Sequence, residues 1–143
     1  MKIELLGEGF APYALLAEFE QGLAAGRYGA SCSFVGSMRD FNQGDDVAEM
    51  ELEHYPGMTE RFLQRIADDA ADHWGALDGL IVHRHGTVMP GDPIVLIGVW
   101  SAHRGAAFEA CRFMIEELKH QAPFWKRETV GNASRWVEGN TSG

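Results

Sequence analysis

The chain has 143 residues, 45% of them hydrophobic, and its formal net charge at pH 7 is −9. This length suits one domain, residues 1–143, whose core is large enough to fold without disulfides or a structural metal. So acidic a surface argues against nucleic-acid binding, since neutralising phosphates needs a basic face. The longest apolar stretch, 94–100, is too short to span a bilayer. The N-terminus has no signal-peptide features, and Cys32 and Cys111 are predicted to be buried thiols, so we expect a cytoplasmic protein.

The first half of the chain is predicted to contain two helices and two strands. Apolar residues at helical spacing predict the first helix, and the apolar segment after it predicts a buried strand. A loop rich in turn formers leads to a strand in which apolar and polar residues alternate. A second helix follows, with Thr59 as its predicted N-cap. These elements cover 12–22, 29–35, the loop 36–46, 47–55 and 59–74.

The second half of the chain contains the strongest strand and the longest helix. The helix has an apolar stripe and ends at Pro123. The predicted elements are a strand at 80–85, a turn at 89–93, a strand at 94–100, a helix from about 104, a strand at 124–129, a turn at 131–132 and a strand at 135–137. Because these elements do not form regular βαβ units, we predict a single α+β domain with a mixed or antiparallel sheet and two long helices.

The junction between the strongest strand and the longest helix is a candidate anion site. It reads Ser101-Ala102-His103-Arg104. The start of a helix presents free N–H groups and the positive end of the helix dipole, and two basic side chains add to them. The alternative is that Ser101 caps the helix while His103 and Arg104 are solvated.

Lys119 and Lys126 are two of only three lysines in the chain. Lys119 borders the apolar stripe of the long helix, and the turn at Pro123 folds the chain back so that both amines can reach one pocket. Two ammonium groups in a partly apolar pocket lower each other's pKa, and such a lysine can act as acid, base or nucleophile. The alternative is two ordinary lysines whose stems cover apolar surface.

Three further basic residues lie near strand ends. Arg39 is in the loop after the first predicted strand, where functional residues are common, although a solvated arginine is the simpler interpretation. His83 and His85 share a face of a strand, but no further ligand is spaced to complete a metal site, so we predict none. The chain has no phosphate-binding, dinucleotide-binding or nucleophile motif, which argues against ATP cleavage.

Several short motifs occur in order along most of the chain, from about Gly29 to Glu138. They lie at 33–39, 52–58, 83–86, 90–92, 101–104, 107–108 and 118–128. The most specific are Glu-His-Tyr-Pro-Gly-Met at 53–58 and Ala-Pro-Phe-Trp-Lys-Arg-Glu at 122–128. Together they resemble the large subunit of molybdopterin synthase.

The resemblance implies a hammerhead-like α+β fold and a sulfurtransferase of molybdenum cofactor biosynthesis. It implies a central homodimer that carries one small ubiquitin-like subunit at each end. The small subunit's C-terminal thiocarboxylate gives its sulfur to cyclic pyranopterin monophosphate, and two such transfers make the dithiolene of molybdopterin. The resemblance implies neither ATP nor a metal nor another cofactor for this step.

The resemblance also implies roles for individual residues. Lys119 is expected to be the main catalytic lysine and Lys126 its supporter. The expected substrate-binding residues are Arg39, His103 and Arg104 for the phosphate, and Phe34, Met114 and Ile115 for the pocket wall. Relatives often have a longer tail with a further arginine. Here no basic residue follows Arg135. Either Arg135 substitutes for the further arginine of the relatives, or this chain has no equivalent of it.

Two other functions remain open at this point. The chain could be a non-catalytic module that only docks a ubiquitin-like partner. It could also be an acyl or phosphate-ester enzyme with the same basic pocket, although the missing nucleophile motif counts against this.

Overall fold

The computed structural model describes residues 1–42, 45–75, 78–121, 124–131 and 133–137. The elements in chain order are β1 (Lys2–Leu6), α1 (Pro12–Gln21), β2 (Ala30–Ser37), β3 (Phe41–Asn42), β4 (Asp45–Asp46), β5 (Glu49–His54), α2 (Met58–Trp74), β6 (Asp78–Arg84), β7 (Gly86–Val88), β8 (Pro93–Ser101), α3 (Arg104–Gln121), β9 (Phe124–Val130) and β10 (Ala133–Trp136). Within these ranges, no helix combines the length and hydropathy needed to cross a membrane.

The first sheet is built around β8, which is buried along almost its whole length. Its strand order is β1-β6-β8-β2, with β1 parallel to β6 and the other pairs antiparallel. Helices α2 and α3 pack on one face around Ile81 and Ile97, and α1 packs on the other around Val82 and Leu96. Adjacent residues of a strand point to opposite faces, so a strand covered on both faces is apolar nearly throughout.

The second sheet has the order β10-β9-β5-β7 and is antiparallel. One of its faces packs Met50, Leu52 and Val88 against Met38 and Ile94. Ile94 belongs to β8 and Met38 directly follows β2, so this smaller core joins the second sheet to one end of the first. The arrangement places β9 close to the end of β2.

The structure has the predicted α+β architecture, and it adds four strands that were not predicted. β3 and β4 are two residues each and pair with each other inside the segment predicted to be a loop. β1 is a short edge strand whose partner β6 lies far along the chain, as Lys2 pairs with Leu80. β7 has only three residues and pairs with β5. Strands this short carry little periodicity, and their pairing depends on tertiary contacts. Gln43, Gly44, the predicted turns at Pro123 and Asn132, and the tail from Glu138 lie outside the described residues.

The predicted cap of α2 is wrong by two residues. Gly57, with φ 83°, precedes the helix, and its N–H donates to Glu60 Oε2 at 2.7 Å. Thr59 lies inside the first turn, where its Oγ1 accepts a hydrogen bond from the Tyr55 N–H at 3.1 Å. Glycine tolerates this positive φ, which explains why the helix begins directly after it.

Candidate functional site

Arg39 and Lys119 come together because β2 and α3 run side by side in the same direction. β2 is antiparallel to β8, with Ala30 opposite Ser101, and the chain reverses after β8 into α3. The eight residues of β2 and the eighteen of α3 each span about 26 Å. Arg39, just after β2, therefore lies near the end of α3, where Lys119 is half-buried. Burial and then the charge of Arg39 lower the pKa of the Lys119 amine.

Lys126 approaches the same place from the second sheet. It stands opposite Leu52 of β5, and side chains alternate along a strand, so both point to the face that packs on the core. Burial and then the charge of Lys119 lower the pKa of Lys126 to about 8, while Glu128 opposes them. The structure thus joins Arg39, Lys119 and Lys126 in one basic, partly desolvated cluster, which we call the lysine pocket.

Glu128 is a buried acid at the edge of the lysine pocket, with 5% exposure. It lies two residues beyond Lys126 on the same face of β9. Arg135 stands opposite it on β10, and the Nε–Oε2 distance is 3.3 Å. In this chain Arg135 therefore pairs with Glu128 across the β9–β10 hairpin, and the sequence did not predict this ion pair.

His83 is a second residue of the pocket that sequence reasoning missed. The residue is 2% exposed, and its ring stacks on that of Phe124, with centroids 3.8 Å apart and an interplanar angle of 15°. Burial is the main cause that lowers its pKa to about 3, and the charges of Lys119 and Lys126 add to it. His83 is therefore neutral at physiological pH. The available signal was the ordered motif at 83–86, but it carried the resemblance without predicting a role for His83, which was considered only as a metal ligand.

Metal-binding geometry is absent from the part of the chain that the structure describes. No group of three or more His, Cys, Asp or Glu residues there could hold a metal ion. The rings of His54 and His85 do contact each other, with centroids 4.3 Å apart. Two imidazoles alone do not complete a metal site.

The candidate anion site lies at the opposite end of α3. The His103 carbonyl accepts the first helical hydrogen bond, from the Ala107 N–H at 3.3 Å, and Ser101 Oγ accepts one from the His103 N–H at 3.1 Å. His103 and Arg104 are exposed. Arg104 and Lys119 are fifteen positions apart on this helix, which is about 22 Å. One chain therefore does not bring the predicted phosphate-binding pair to its own lysine pocket.

The predicted wall residues occupy different environments. Phe34 of β2 is 36% exposed and is thus available at the surface. Met114 and Ile115 are 0% and 8% exposed and belong to the core between α2, α3 and the first sheet. In this chain these two side chains support α3 from within and do not face open space.

The fold and the site define an α+β protein with a basic cluster, in which two half-buried lysines lie beside an arginine. The family model described as "MoaE protein" matches residues 11–121. The chain belongs to this family.

Relatives and solved structures agree with this membership. A protein of Ralstonia nicotianae named molybdopterin synthase catalytic subunit is 50% identical over 129 residues, covering 85% of this chain and 73% of the relative. The structure of a molybdopterin biosynthesis MoaE protein from Burkholderia ambifaria MC40-6 matches with a TM-score of 0.82 and 41% identity, covering 99% of this chain and 92% of that one. A complex of subunits 1 and 2 of molybdopterin-converting factor from Helicobacter pylori shares the fold, with a TM-score of 0.80, 23% identity, and coverage of 95% and 90%.

Proposed function

We propose that this chain transfers sulfur from the thiocarboxylate of a small ubiquitin-like subunit to cyclic pyranopterin monophosphate, as the catalytic subunit of molybdopterin synthase. The chain is an enzyme of molybdopterin synthesis, a sulfurtransferase. The observation that supports the site assignment is the convergence of Lys119 and Lys126 beside Arg39, with the pKa of both lysines lowered. Both proposed ligands are anionic, and this pocket offers them three cations.

The proposed chemistry needs a bond exchange at sulfur and several proton transfers. The thiocarboxylate sulfur bonds to a pterin side-chain carbon as a carbon–oxygen bond of that carbon breaks, the oxygen leaving with the opened phosphate or as water. A water molecule then hydrolyses the acyl carbon–sulfur bond. Sulfur stays on the pterin, and the small subunit leaves with a carboxylate; a second carrier repeats the transfer. Opening the cyclic phosphate and losing water require proton donors and acceptors. An amine with a pKa near 8 has both forms available near neutral pH, which suits a general acid or base. We assign the main role to Lys119 and the supporting role to Lys126.

The assembly proposed is a homodimer with one small subunit on each protomer, located in the cytoplasm. Arg104 lies about 22 Å from Lys119 along α3, too far for one phosphate to touch both within a chain. In a homodimer, His103 and Arg104 of one protomer can complete the lysine pocket of the other. Arg39 then contributes from the same chain as the lysines.

The test is a reconstituted reaction followed by mass spectrometry of the pterin. Purified chain is mixed with cyclic pyranopterin monophosphate and a small subunit that carries a C-terminal thiocarboxylate. We expect a product with two sulfur atoms and a small subunit whose thiocarboxylate has become a carboxylate. Stable binding of the small subunit without any sulfur on the pterin would instead identify a docking module and overturn the proposal.

A further inference from the structure

His83 stands where the two sheets meet, on the face of β6 that carries Ile81. It is paired in register with Val95 of β8, so its backbone is held in the middle of the first sheet. Its ring reaches Phe124, the first residue of β9 in the second sheet. The stack therefore joins the two sheets directly beside the lysine pocket.

The hydrogen bond made by His83 defines its tautomer. Nδ1 lies 2.7 Å from the Arg84 carbonyl oxygen, and a carbonyl only accepts, so Nδ1 carries the proton and donates it. The charged and titratable groups that face the ring are Lys119 of α3, Lys126 of β9 and His54 of β5. A neutral ring adds no cation to this group. What it contributes is a flat apolar surface.

Phe124 places the other half of the stack next to Lys126. The two residues are separated by one position on β9, so their side chains lie on the same face, side by side. Lys119 and Lys126 are both only partly exposed, and His83 lies close enough to both amines for their charges to lower its pKa. The stacked rings thus place apolar ring surface beside the two amines.

We propose that the stacked rings of His83 and Phe124 form a wall that keeps water from the Lys119 and Lys126 amines, which makes His83 a positioning residue. This inference rests on the proposed function only for its consequence in sulfur transfer. The wall acts through the shape of the ring and not through its charge. A phenylalanine at position 83 therefore preserves it, and an alanine at either position opens it to water.

The experiment measures the ionisation of each lysine directly in the full-length chain. Acylation of amines by acetic anhydride is followed against pH by peptide mass spectrometry in the parent, His83→Ala, His83→Phe and Phe124→Ala. We expect the Lys126 midpoint, near 8 in the parent, to rise by about one pH unit in both alanine variants, because water stabilises the ammonium. His83→Phe should keep the parental midpoint. Lys2, whose side chain is 56% exposed, serves as the internal reference.

A matched control removes a different aromatic contact of the same sheet. Phe19 and Trp100 have centroids 5.0 Å apart on the α1 face, away from the lysine pocket. Phe19→Ala should lower stability but leave the Lys126 midpoint unchanged. If His83→Ala does not fold, Phe124→Ala, at a less buried position, reports on the same wall.

The outcomes separate this inference from the proposed function. The proposed wall is contradicted if the Lys126 midpoint is unchanged in folded alanine variants. It is also contradicted if the midpoint rises as much in His83→Phe as in His83→Ala. A raised midpoint accompanied by an upward shift in the pH profile of sulfur transfer supports both proposals. A raised midpoint with an unchanged pH profile supports the wall and argues against a proton-transfer role for Lys126.

Discussion

Two lysine amines and an arginine share one partly buried space, and a neighbouring cation makes each of the two amines harder to protonate. The charge of Arg39 lowers the pKa of Lys119, and the charge of Lys119 lowers the pKa of Lys126. Burial is the larger cause for both lysines. The pocket therefore combines attraction for anions with an amine that can exchange a proton near neutral pH, which isolated surface lysines do not offer.

The role of Lys119 is tested by two substitutions that differ in what they remove. Lys119→Ala deletes both the charge and the proton donor, and we expect sulfur transfer to fall about 100-fold or more. Lys119→Arg keeps the charge but cannot release a proton near neutral pH, so it should also fail. Single-turnover sulfur transfer measures both, with small-subunit binding as the control for folding. Near-parental activity of Lys119→Arg would reduce Lys119 to a fixed charge.

The stability of the protein should increase when the ammonium of Lys126 is removed. Its pKa is about 8 in the folded chain against 10.5 for the free side chain, so burying the charged form is unfavourable at pH 7. Lys126→Met keeps the stem and should raise the free energy of unfolding by about 1–3 kcal/mol at pH 7. Urea denaturation at several pH values measures this change.

The lowered pKa of Lys126 also predicts how the free energy of unfolding changes with pH. Between pH 8 and 10.5 the unfolded lysine still holds a proton that the folded one has lost, so the parent gains stability as pH rises. The advantage of Lys126→Met should therefore shrink over this window. Lys2→Met, at an exposed residue paired with Glu4 at 3.0 Å, is the control and should change stability by less than about 0.5 kcal/mol. A destabilised Lys126→Met at pH 7 would contradict a lowered pKa.

Among the elements, α3 presents candidate site residues at both of its ends and packs into the core between them. Its buried stripe holds α2 and the first sheet, with Met114 at 0% exposure. Its start exposes His103 and Arg104, and its last turn presents Lys119. A helix of eighteen residues is stiff over this length, so it keeps the two ends at a constant separation.

Substitutions at Met114 distinguish a core role from the pocket role that was predicted for it. Met114→Ala should lower the free energy of unfolding by about 2–5 kcal/mol, because it leaves a cavity, while Met114→Leu should cost less than about 1.5 kcal/mol. Neither should change KM for the pterin. Phe108→Ala, at a residue of α3 with 64% exposure, is the control for stability and should have little effect. A stable Met114→Ala with a raised KM would place this side chain at the pocket after all.

The long elements could be predicted from the sequence, and the short ones could not. A helix such as α2 repeats its apolar spacing over four turns, so the pattern identifies it without tertiary information. β1 and β7 are too short for this, and each forms because a distant strand offers hydrogen-bond partners. The cap at Gly57 was missed because a positive φ at glycine is decided by how the preceding turn packs.

At the scale of the whole molecule, the predicted site is divided between two places on one chain. The lysine pocket lies at one end of α3, and the candidate phosphate site lies at the other. A homodimer in which each protomer completes the other's pocket reconciles the two. If the sites are shared in this way, the activity of one protomer depends on the surface of its partner.

Mixed dimers test this dependence. A protomer with Lys119→Ala keeps its Arg104, and a protomer with Arg104→Ala keeps its lysine pocket. If the site is shared, a dimer of one of each has one intact site and should show about half of the parental activity. Co-expression with two different tags allows such dimers to be purified, and both homodimeric variants are the controls. Arg104→Ala alone should weaken pterin binding by about 10- to 100-fold, the value of one charge-assisted contact. Mixed dimers no more active than the variants would place every residue of the site within one chain.

By itself, the sequence determined the types of the long elements, the α+β class and the ordered motifs of the family. It also singled out Lys119, Lys126, Arg39, His103 and Arg104 as basic residues at strand and helix ends. These properties depend on local spacing and on residue type, which are visible without a fold.

Only the tertiary structure decided which of those residues meet. Arg39 and Lys119 converge because β2 and α3 have matching lengths and the same direction, and Lys126 joins them through the register of β9 on β5. His83 and Glu128 belong to the site because the fold buries them beside the lysines, and no local sequence pattern predicts the burial of a polar residue. The separation of Arg104 from Lys119 has the same origin. Both residues lie on one helix, yet its length of eighteen residues places them at opposite ends of it.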